Sequence, residues 1–176
     1  MIQMTPVSNS LELNEELQLI YIDSFPPDER REWQDLKELL DHPGFTLNKI
    51  FNDTDLIGLV CLWSLQDWLY IEHFAIIEPM QNQGFGTLIL NQLIEKKATK
   101  IVLEVEEPTT LSAQRRIAFY NRLGFRICED IYYQPPYSPN KNKVKMLLMS
   151  FPEELNSIDF EKTKAQIYQV VYQLTD

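Results

Sequence analysis

The chain has 176 residues, of which 44% are hydrophobic, and it carries a formal net charge of −10. This length suits a single domain spanning residues 1–176, and the excess of acids excludes the basic surface of a nucleic-acid-binding protein. No apolar run is long enough to cross a bilayer, and residues 1–10 lack the pattern of a signal peptide. We therefore expect neither a nucleic acid nor a membrane as partner.

The two cysteines, Cys61 and Cys128, each lie within an apolar, strand-like segment. Neither has the Cys-x-x-Cys or Cys/His spacing of a metal site, and they do not form a disulfide framework. The sequence therefore predicts two buried free thiols, no bound metal and a cytoplasmic location.

In chain order, the first half predicts helices and strands in alternation around one hairpin. Apolar residues at helical spacing indicate helices, and alternating or continuous apolar runs indicate strands. The predicted elements are a strand over 2–7, helices over 11–22 and 29–40, and hairpin strands over 45–51 and 56–65.

The second half continues with the same kinds of element and ends in a helical extension over residues 150–176. The predicted elements are a strand over 68–77, a helix over 84–97, a strand over 100–106, a helix over 111–123, a strand starting at 126 and a strand over 144–149. Between the last two strands, residues 132–143 contain three prolines and are expected to form a loop. In the extension, Phe160, Ile167, Val171 and Leu174 should line one face of the closing helix.

The most informative segment is the turn Gln81-Asn82-Gln83-Gly84-Phe85-Gly86, which joins an apolar strand to an amphipathic helix. The first N–H groups of a helix have no partner within it, and the aligned peptide dipoles favour an anion there. Glycine has no Cβ, so a phosphate can approach the main chain closely at Gly84 and Gly86. The turn therefore predicts a phosphate-binding site.

Two common phosphate-binding patterns fit this turn poorly. A P-loop requires Lys-Ser or Lys-Thr after its last glycine, and neither follows Gly86. The dinucleotide-binding fingerprint requires a third glycine, where this chain has Ile89, although Glu104 stands about where a ribose-binding acid is expected. A nucleotide-dependent oxidoreductase is therefore a weaker alternative.

A third pattern, Gln/Arg-x-x-Gly-x-Gly/Ala after a strand and a proline, matches residues 81–86. A second segment, Ile117-Ala118-Phe119-Tyr120-Asn121-Arg122-Leu123-Gly124-Phe125, follows in the same order and at a matching separation. On these two motifs the sequence resembles the GNAT superfamily of acyl-CoA-dependent N-acetyltransferases, specifically over residues 68–128. The resemblance implies an α/β fold with a mixed, mostly antiparallel central sheet flanked by helices, here with an extra C-terminal helix. It also implies acetyl-CoA as co-substrate.

Two residues are candidates for proton transfer. Acetylation requires a base to deprotonate the amine, and the departing thiolate benefits from an acid. Glu72 is a carboxylate within an otherwise apolar strand, where burial would raise its pKa towards that of a useful base, although a solvent-facing, lysine-paired carboxylate fits the pattern equally well. His73 should point to the opposite face of a regular strand. The resemblance implies that Tyr120 is the general acid at the sulfur, with an ordinary packing role as the alternative.

The resemblance also implies where the acetyl-CoA binds. In the family the end of the strand pairs with the pantetheine arm and the glycine turn holds the pyrophosphate. The residues that correspond here are Ile76, Ile77, Gln81, Asn82, Gln83, Gly84, Phe85, Gly86 and Thr87. Many members have arginine or lysine in this loop, which this chain lacks, and Arg115 and the neighbouring Arg116 either compensate or are simply solvated.

The expected function is therefore N-acetyltransfer from acetyl-CoA to a primary amine of a small molecule or peptide, by direct attack rather than through an acyl-cysteine. The alternative is a non-catalytic GNAT-fold module that binds acyl-CoA or a protein. The acceptor should lie among the first helices, the 132–143 loop and the separating strands. A homodimer is possible.

Overall fold

The computed structural model describes residues 1–96 and 100–174, in which eight strands form one mixed sheet. The strands are β1 (Ile2–Pro6), β2 (Phe45–Asn52), β3 (Asp55–Ser64), β4 (Leu69–Ile76), β5 (Ile101–Glu106), β6 (Arg126–Ile127), β7 (Tyr132–Gln134) and β8 (Val144–Phe151). Their order across the sheet is β1-β2-β3-β4-β5-β8-β6, with β7 also paired to β8. Strands β4 and β5 are parallel, and the other described pairs are antiparallel. The fold class predicted from the sequence is confirmed.

Five α-helices flank this sheet in the described part of the chain. They are α1 (Glu15–Ser24), α2 (Trp33–Glu38), α3 (Phe85–Lys96), α4 (Leu111–Arg122) and α5 (Ser157–Gln166), with α5 continuing as a π-helix over Ile167–Val171. Asn14, Thr110 and Asn156 cap the N-termini of α1, α4 and α5 with their side chains. Within the described residues, no helix combines the length and apolarity needed to cross a membrane.

Several predicted boundaries are wrong. The predicted second helix, 29–40, is only the six-residue α2 between two short 3-10 turns, since Arg30 and Glu32 have extended backbone. The predicted 132–143 loop begins with strand β7. Leu174 is 44% exposed rather than buried with the rest of its predicted face, since the π-helix ends before it. The predicted end of the third helix, residue 97, lies outside the described residues, as do residues 175–176.

The sheet has a hydrophobic cluster on each face. One face packs against α3 and α4, through residues such as Leu90, Leu93 and Ile117. The other packs against α1, α2 and the C-terminal helix, through residues such as Leu17 and Phe160. The predicted buried thiols are confirmed, since Cys61 and Cys128 are both free and buried.

Strands β4 and β5 separate partway along their length. They pair only through Leu69–Ile101, Tyr70–Val102 and Ile71–Leu103. From Glu72 on β4 and Glu104 on β5 onward, the two strands diverge and leave backbone groups in the middle of the sheet without a strand partner. This separation opens a gap between the two helical layers.

Strand β4 has a β-bulge at the point where the gap begins. Cys61 of β3 pairs with His73 and Leu62 pairs with Ile71, so Glu72 is the extra residue. Because of this insertion, Glu72 and His73 point to the same face of the sheet, with Glu72 Oε2 4.0 Å from His73 Nδ1. The prediction that the two side chains face opposite sides is wrong, since it assumed a regular strand.

Candidate active site

A groove with a volume of about 1340 Å³ runs through the gap between β4 and β5. One wall is formed by the glycine turn and α4, and the opposite wall by α1 and the 3-10 turn Pro27–Glu29. Predicted site residues from separate parts of the sequence, including Glu72, Gly84, Arg115 and Tyr120, line it together. The groove therefore brings the two sequence motifs to one place.

The glycine turn has the geometry of an anion site. Asn82 and Gly84 have positive φ angles of 61° and 85°, and α3 begins at Phe85 with its first N–H groups facing the groove end. The side chains of Gln81 and Gln83 donate to the carbonyl oxygens of Ile76 and Pro79, at 2.8 and 2.9 Å. These two side chains therefore shape the loop, and Gln83 is not part of the groove lining.

The two glycines of the turn are constrained for different reasons. A Cβ on Gly84 would meet nothing within 4 Å, so this position faces open space on the ligand side. A Cβ on Gly86 would lie 3.2 Å from the Phe119 ring and 3.7 Å from the Phe74 ring. Gly84 thus leaves room for a ligand, whereas Gly86 permits close packing of α3 on α4.

The edge of β4 offers backbone groups to a ligand. Ile77 is fully paired, because its N–H donates to Ile57 and its carbonyl accepts from Met80, both at 2.9 Å. Strand residues alternate in the direction of their backbone groups, so Phe74 and Ile76 direct theirs into the gap. Of the two residues predicted to pair with pantetheine, Ile76 therefore offers its N–H, while its carbonyl already accepts from Gln81, and both backbone groups of Ile77 are already paired.

Three arginines of α4, Arg115, Arg116 and Arg122, line the groove. Arg116 is paired with Glu106 at 2.8 Å, whereas Arg115 has no ion-pair partner among the described residues. The Arg115 guanidinium is therefore available to a phosphate.

Tyr120 projects from α4 into the wall of the groove and is 6% exposed. Its ring packs against Phe119 and Phe125, with centroid distances of 5.2 and 5.5 Å. Burial raises the pKa of its hydroxyl to about 12, so the phenol keeps its proton at neutral pH. A protonated, positioned phenol is what a general acid requires.

Glu72 is fully buried and already paired. Its carboxylate accepts from Arg31 Nε at 2.8 Å and from Trp63 Nε1 at 2.7 Å. Burial alone would raise the pKa of Glu72, but the charge of Arg31 and the hydrogen bonds that the carboxylate accepts together outweigh it, so that the pKa is lowered. The expected rise in the pKa of Glu72 is wrong, because the sequence does not show the cation that reaches it from 41 residues away.

Glu104 has the properties expected of a base. It stands on β5 where the strands separate, lines the groove and accepts hydrogen bonds from the hydroxyls of Tyr132 and Tyr172. Burial raises its pKa to about 7, although these phenols act to lower it. The signal was present in the sequence, since Glu104, like Glu72, is an acid within an apolar strand.

Glu29 is a second carboxylate with a raised pKa that the sequence analysis did not single out. It lies in the opposite wall, and burial together with the nearby charge of Glu106 raises its pKa to about 7. Its backbone carbonyl lies 3.0 Å from Nε2 of His73, and no motif marks the residue. Glu29 is therefore visible only in the folded chain.

The proline-containing loop holds this second wall in place. Asn142 bonds through its backbone and its side chain to the Asp28 carboxylate, at 2.9 and 3.1 Å, and Gln134 donates to the Asp28 carbonyl. Lys141 donates to the Pro27 carbonyl at 2.8 Å. The loop therefore fixes the segment that carries Glu29.

Comparison with known proteins identifies the family. Residues 11–125 match the model of the acetyltransferase (GNAT) family. The chain belongs to the GNAT family of acetyltransferases. A solved structure from Bacteroides thetaiotaomicron, described as a GNAT-family acetyltransferase, is 35% identical to this GNAT chain with a TM-score of 0.89, over 98% of this chain and 99% of that one. The curated proteins compared with the sequence contain no match.

More distant GNAT structures share the fold. The ribosomal-protein-S18-alanine N-acetyltransferase of Escherichia coli is 16% identical with a TM-score of 0.63, over 89% of this chain and 97% of that one. A GNAT acetyltransferase from Elizabethkingia anophelis with acetyl-CoA bound is 21% identical with a TM-score of 0.59, over 88% of this chain and 98% of that one. Acetyl transfer is thus the general activity of the family to which the chain belongs.

Proposed function

We propose that the protein is an N-acetyltransferase that moves the acetyl group of acetyl-CoA directly to a primary amine. The observation that carries the proposal is the shared groove: the glycine turn, the open edge of β4 and Tyr120 line one continuous surface. In this pose the pyrophosphate lies at the N-terminus of α3, and the pantetheine arm pairs with the backbone of Phe74 and Ile76. The thioester then lies where β4 and β5 diverge.

Glu104 is the base in this proposal. An alkyl ammonium has a pKa near 10 and resists deprotonation at neutral pH. A base with a pKa of about 7 lies closer to this value than an ordinary carboxylate does, so proton transfer to it is less unfavourable. Glu104 takes the proton as the amine attacks the thioester carbon. The C–N bond forms, the C–S bond breaks, and Tyr120 protonates the departing thiolate.

Direct attack is favoured over an acyl-cysteine route by the state of the two thiols. Burial raises the pKa of Cys61 well above its usual value and also raises that of Cys128. Neither residue is part of the groove lining. A nucleophilic cysteine requires the opposite, a lowered pKa and access to the substrate.

The test combines binding and turnover. Calorimetry should show binding of CoA in preference to NAD, NADP and ATP, and thiol release from acetyl-CoA should depend on added amine. Intact mass measured with acetyl-CoA alone should show no acetylated protein. Binding of CoA without turnover of any amine would instead support a non-catalytic module, and preference for a dinucleotide would overturn the proposal.

Gly84→Val tests the binding pose. The side chain would occupy the open space where the pyrophosphate is proposed to sit, so the Kd for CoA should rise at least about a hundredfold, roughly 2.7 kcal/mol. Gly124→Val is the matched control, because Gly124 also has a positive φ, 93°, but lies outside the groove lining. Equal loss of CoA binding in both variants would attribute the effect to backbone strain.

A further inference from the structure

The wall of the groove opposite the cofactor turn is acidic. Glu16 and Asp23 of α1 and Glu29 of the following 3-10 turn line it, and none of the three has an ion-pair partner among residues 1–96 and 100–174. The arginines that line the groove all belong to α4, on the other wall. The arginines thus lie towards the cofactor phosphates and these three carboxylates towards the acceptor, although Glu78 beside the glycine turn also lines the groove.

The acids follow one line along α1. Glu16 and Asp23 are seven residues apart in the sequence, two helical turns, so they share a face and lie about 10 Å apart along the axis. The C-terminal end of α1 is the inner end, since Phe25 packs on His73 with a centroid distance of 4.6 Å. The carboxylates therefore lead from the groove mouth towards the diverging strands.

The position of Asp23 is unfavourable for the stability of α1. An acid in the last turn of a helix interacts unfavourably with the negative end of the macrodipole, and α1 has no basic residue in that turn to offset it. Because no ion pair in the described part of the chain offsets this unfavourable position, Asp23 is better explained by binding a ligand than by stabilising α1.

A buried, unpartnered acceptor in the same groove points independently to a donor-rich ligand. His73 is 2% exposed, and its Nε2 lies 3.0 Å from the Glu29 carbonyl. A carbonyl oxygen can only accept, so Nε2 carries the proton and Nδ1 holds a free lone pair. Nδ1 has no hydrogen-bond partner among the described residues and lies 4.0 Å from Glu72 Oε2, another acceptor. Because His73 Nδ1 and Glu72 Oε2 are both acceptors, this part of the groove favours a ligand with N–H donors.

On this basis we propose that the acceptor is an aliphatic di- or polyamine, a molecule with at least one ammonium group besides the amine that is acetylated. This inference rests on the proposed function and deepens it. The distal ammonium of a diamine lies towards the inner carboxylates, Asp23 and Glu29, and a longer polyamine extends to Glu16 at the groove mouth. The reacting amine reaches the acetyl group between β4 and β5. The net charge of −10 adds a long-range attraction for such a cation.

The test varies only the charge at the far end of one carbon chain. With acetyl-CoA saturating, kcat/KM should be highest for diaminohexane, lower for aminohexane by about tenfold, and lowest for aminohexanoate, because the acidic wall attracts a positive distal group and repels a negative one. Added salt should reduce the preference for the diamine. Equal rates for the three compounds would overturn the inference and leave the proposed function intact. A complete absence of thiol release with every amine would contradict the proposed function itself.

Variants of the acidic wall assign the effect to residues. Glu16→Gln, Asp23→Asn and Glu29→Gln should each lower the preference for diaminohexane over aminohexane, by about fivefold or less, and the triple variant should abolish it. Glu15→Gln is the matched control, because Glu15 is the exposed neighbour of Glu16 in the same helical turn but is not part of the groove lining. An unchanged preference in the triple variant, or faster turnover of peptide N-termini than of any diamine, would contradict the assignment.

Discussion

Strands β4 and β5 each carry one carboxylate at the point where they separate, and the two acids have opposite properties. Glu72 is held by the Arg31 guanidinium and Trp63, which lower its pKa, whereas Glu104 is held by the neutral phenols of Tyr132 and Tyr172 and has a pKa of about 7. Both are acids within apolar strands. The partner that arrives from elsewhere in the chain therefore decides which acid can exchange a proton at neutral pH.

The largest expected effect tests whether Glu72 stabilises the fold or acts as the base. Glu72→Gln leaves the buried Arg31 charge without its counter-ion, so the free energy of unfolding should fall by roughly 3 kcal/mol, measured by urea denaturation. The rise of kcat/KM with pH on the acidic side of its profile (the acidic limb) should remain. The double variant R31Q/E72Q should be no less stable than E72Q, since the uncompensated charge is gone. Unchanged stability together with loss of the acidic limb would instead make Glu72 the base that the sequence predicts.

Glu104→Gln should have the converse effect. In the wild type, kcat/KM should rise with pH through about 7, because the base acts as the ionised carboxylate and its pKa is raised to that value. In Glu104→Gln the rate at neutral pH should fall about a hundredfold, and the rise near pH 7 should be replaced by one towards the pKa of the amine, near 10. Glu107→Gln, which removes an acid just after β5 that pairs with Lys145, is the control and should keep the wild-type profile. A normal profile in Glu104→Gln would transfer the role to Glu29 or Glu72.

Tyr120→Phe removes only the hydroxyl of the proposed acid. We expect kcat to fall by about tenfold or more, with little change in the KM for acetyl-CoA, because the ring still packs against Phe119 and Phe125. Steady-state kinetics would measure both constants. An unchanged kcat, with chemistry shown to be rate-limiting by the absence of a burst, would reduce Tyr120 to a packing residue.

The smallest expected effect is a change in the pKa of Glu104 on removal of the Tyr172 hydroxyl. The Tyr172 hydroxyl donates to Glu104 and acts to lower its pKa, so Tyr172→Phe should move the acidic limb upward, by less than about one pH unit. The rate at pH 6 should fall more than the rate at pH 9. Tyr168→Phe is the matched control, because the Tyr168 hydroxyl donates to the Tyr133 carbonyl rather than to Glu104. A shift of equal size in both variants would contradict the argument.

The cofactor side of the groove could be predicted from the sequence because its information is local. Gly84 and Gly86 are required by backbone geometry and close packing within one turn, and Tyr120 belongs to a helix-end motif of nine residues. The acceptor side could not. The state of Glu72 depends on Arg31, that of Glu104 on Tyr172, and the position of Glu29 on contacts from a distant loop.

The bulge in β4 shows a further limit. Whether Glu72 and His73 share a face depends on a one-residue insertion relative to β3, which neither strand's apolar pattern reveals. In the same way, the sequence does not show that both backbone groups of Ile77 are paired, to Ile57 and Met80. Register and pairing are properties of the assembled sheet.

The loop that fixes the Glu29 segment has a consequence for the order in which the molecule folds. Its bonds to Asp28 and Pro27 join residues 114 apart in sequence, and the bond from Arg31 to the Val171 carbonyl joins residues 140 apart. The bonds that shape the glycine turn join residues only four and five apart. Closing long loops costs more entropy and is slower than forming local turns. During synthesis the cofactor turn can therefore form early. The Glu29 segment of the acidic wall can be fixed only after the last quarter of the chain has been made.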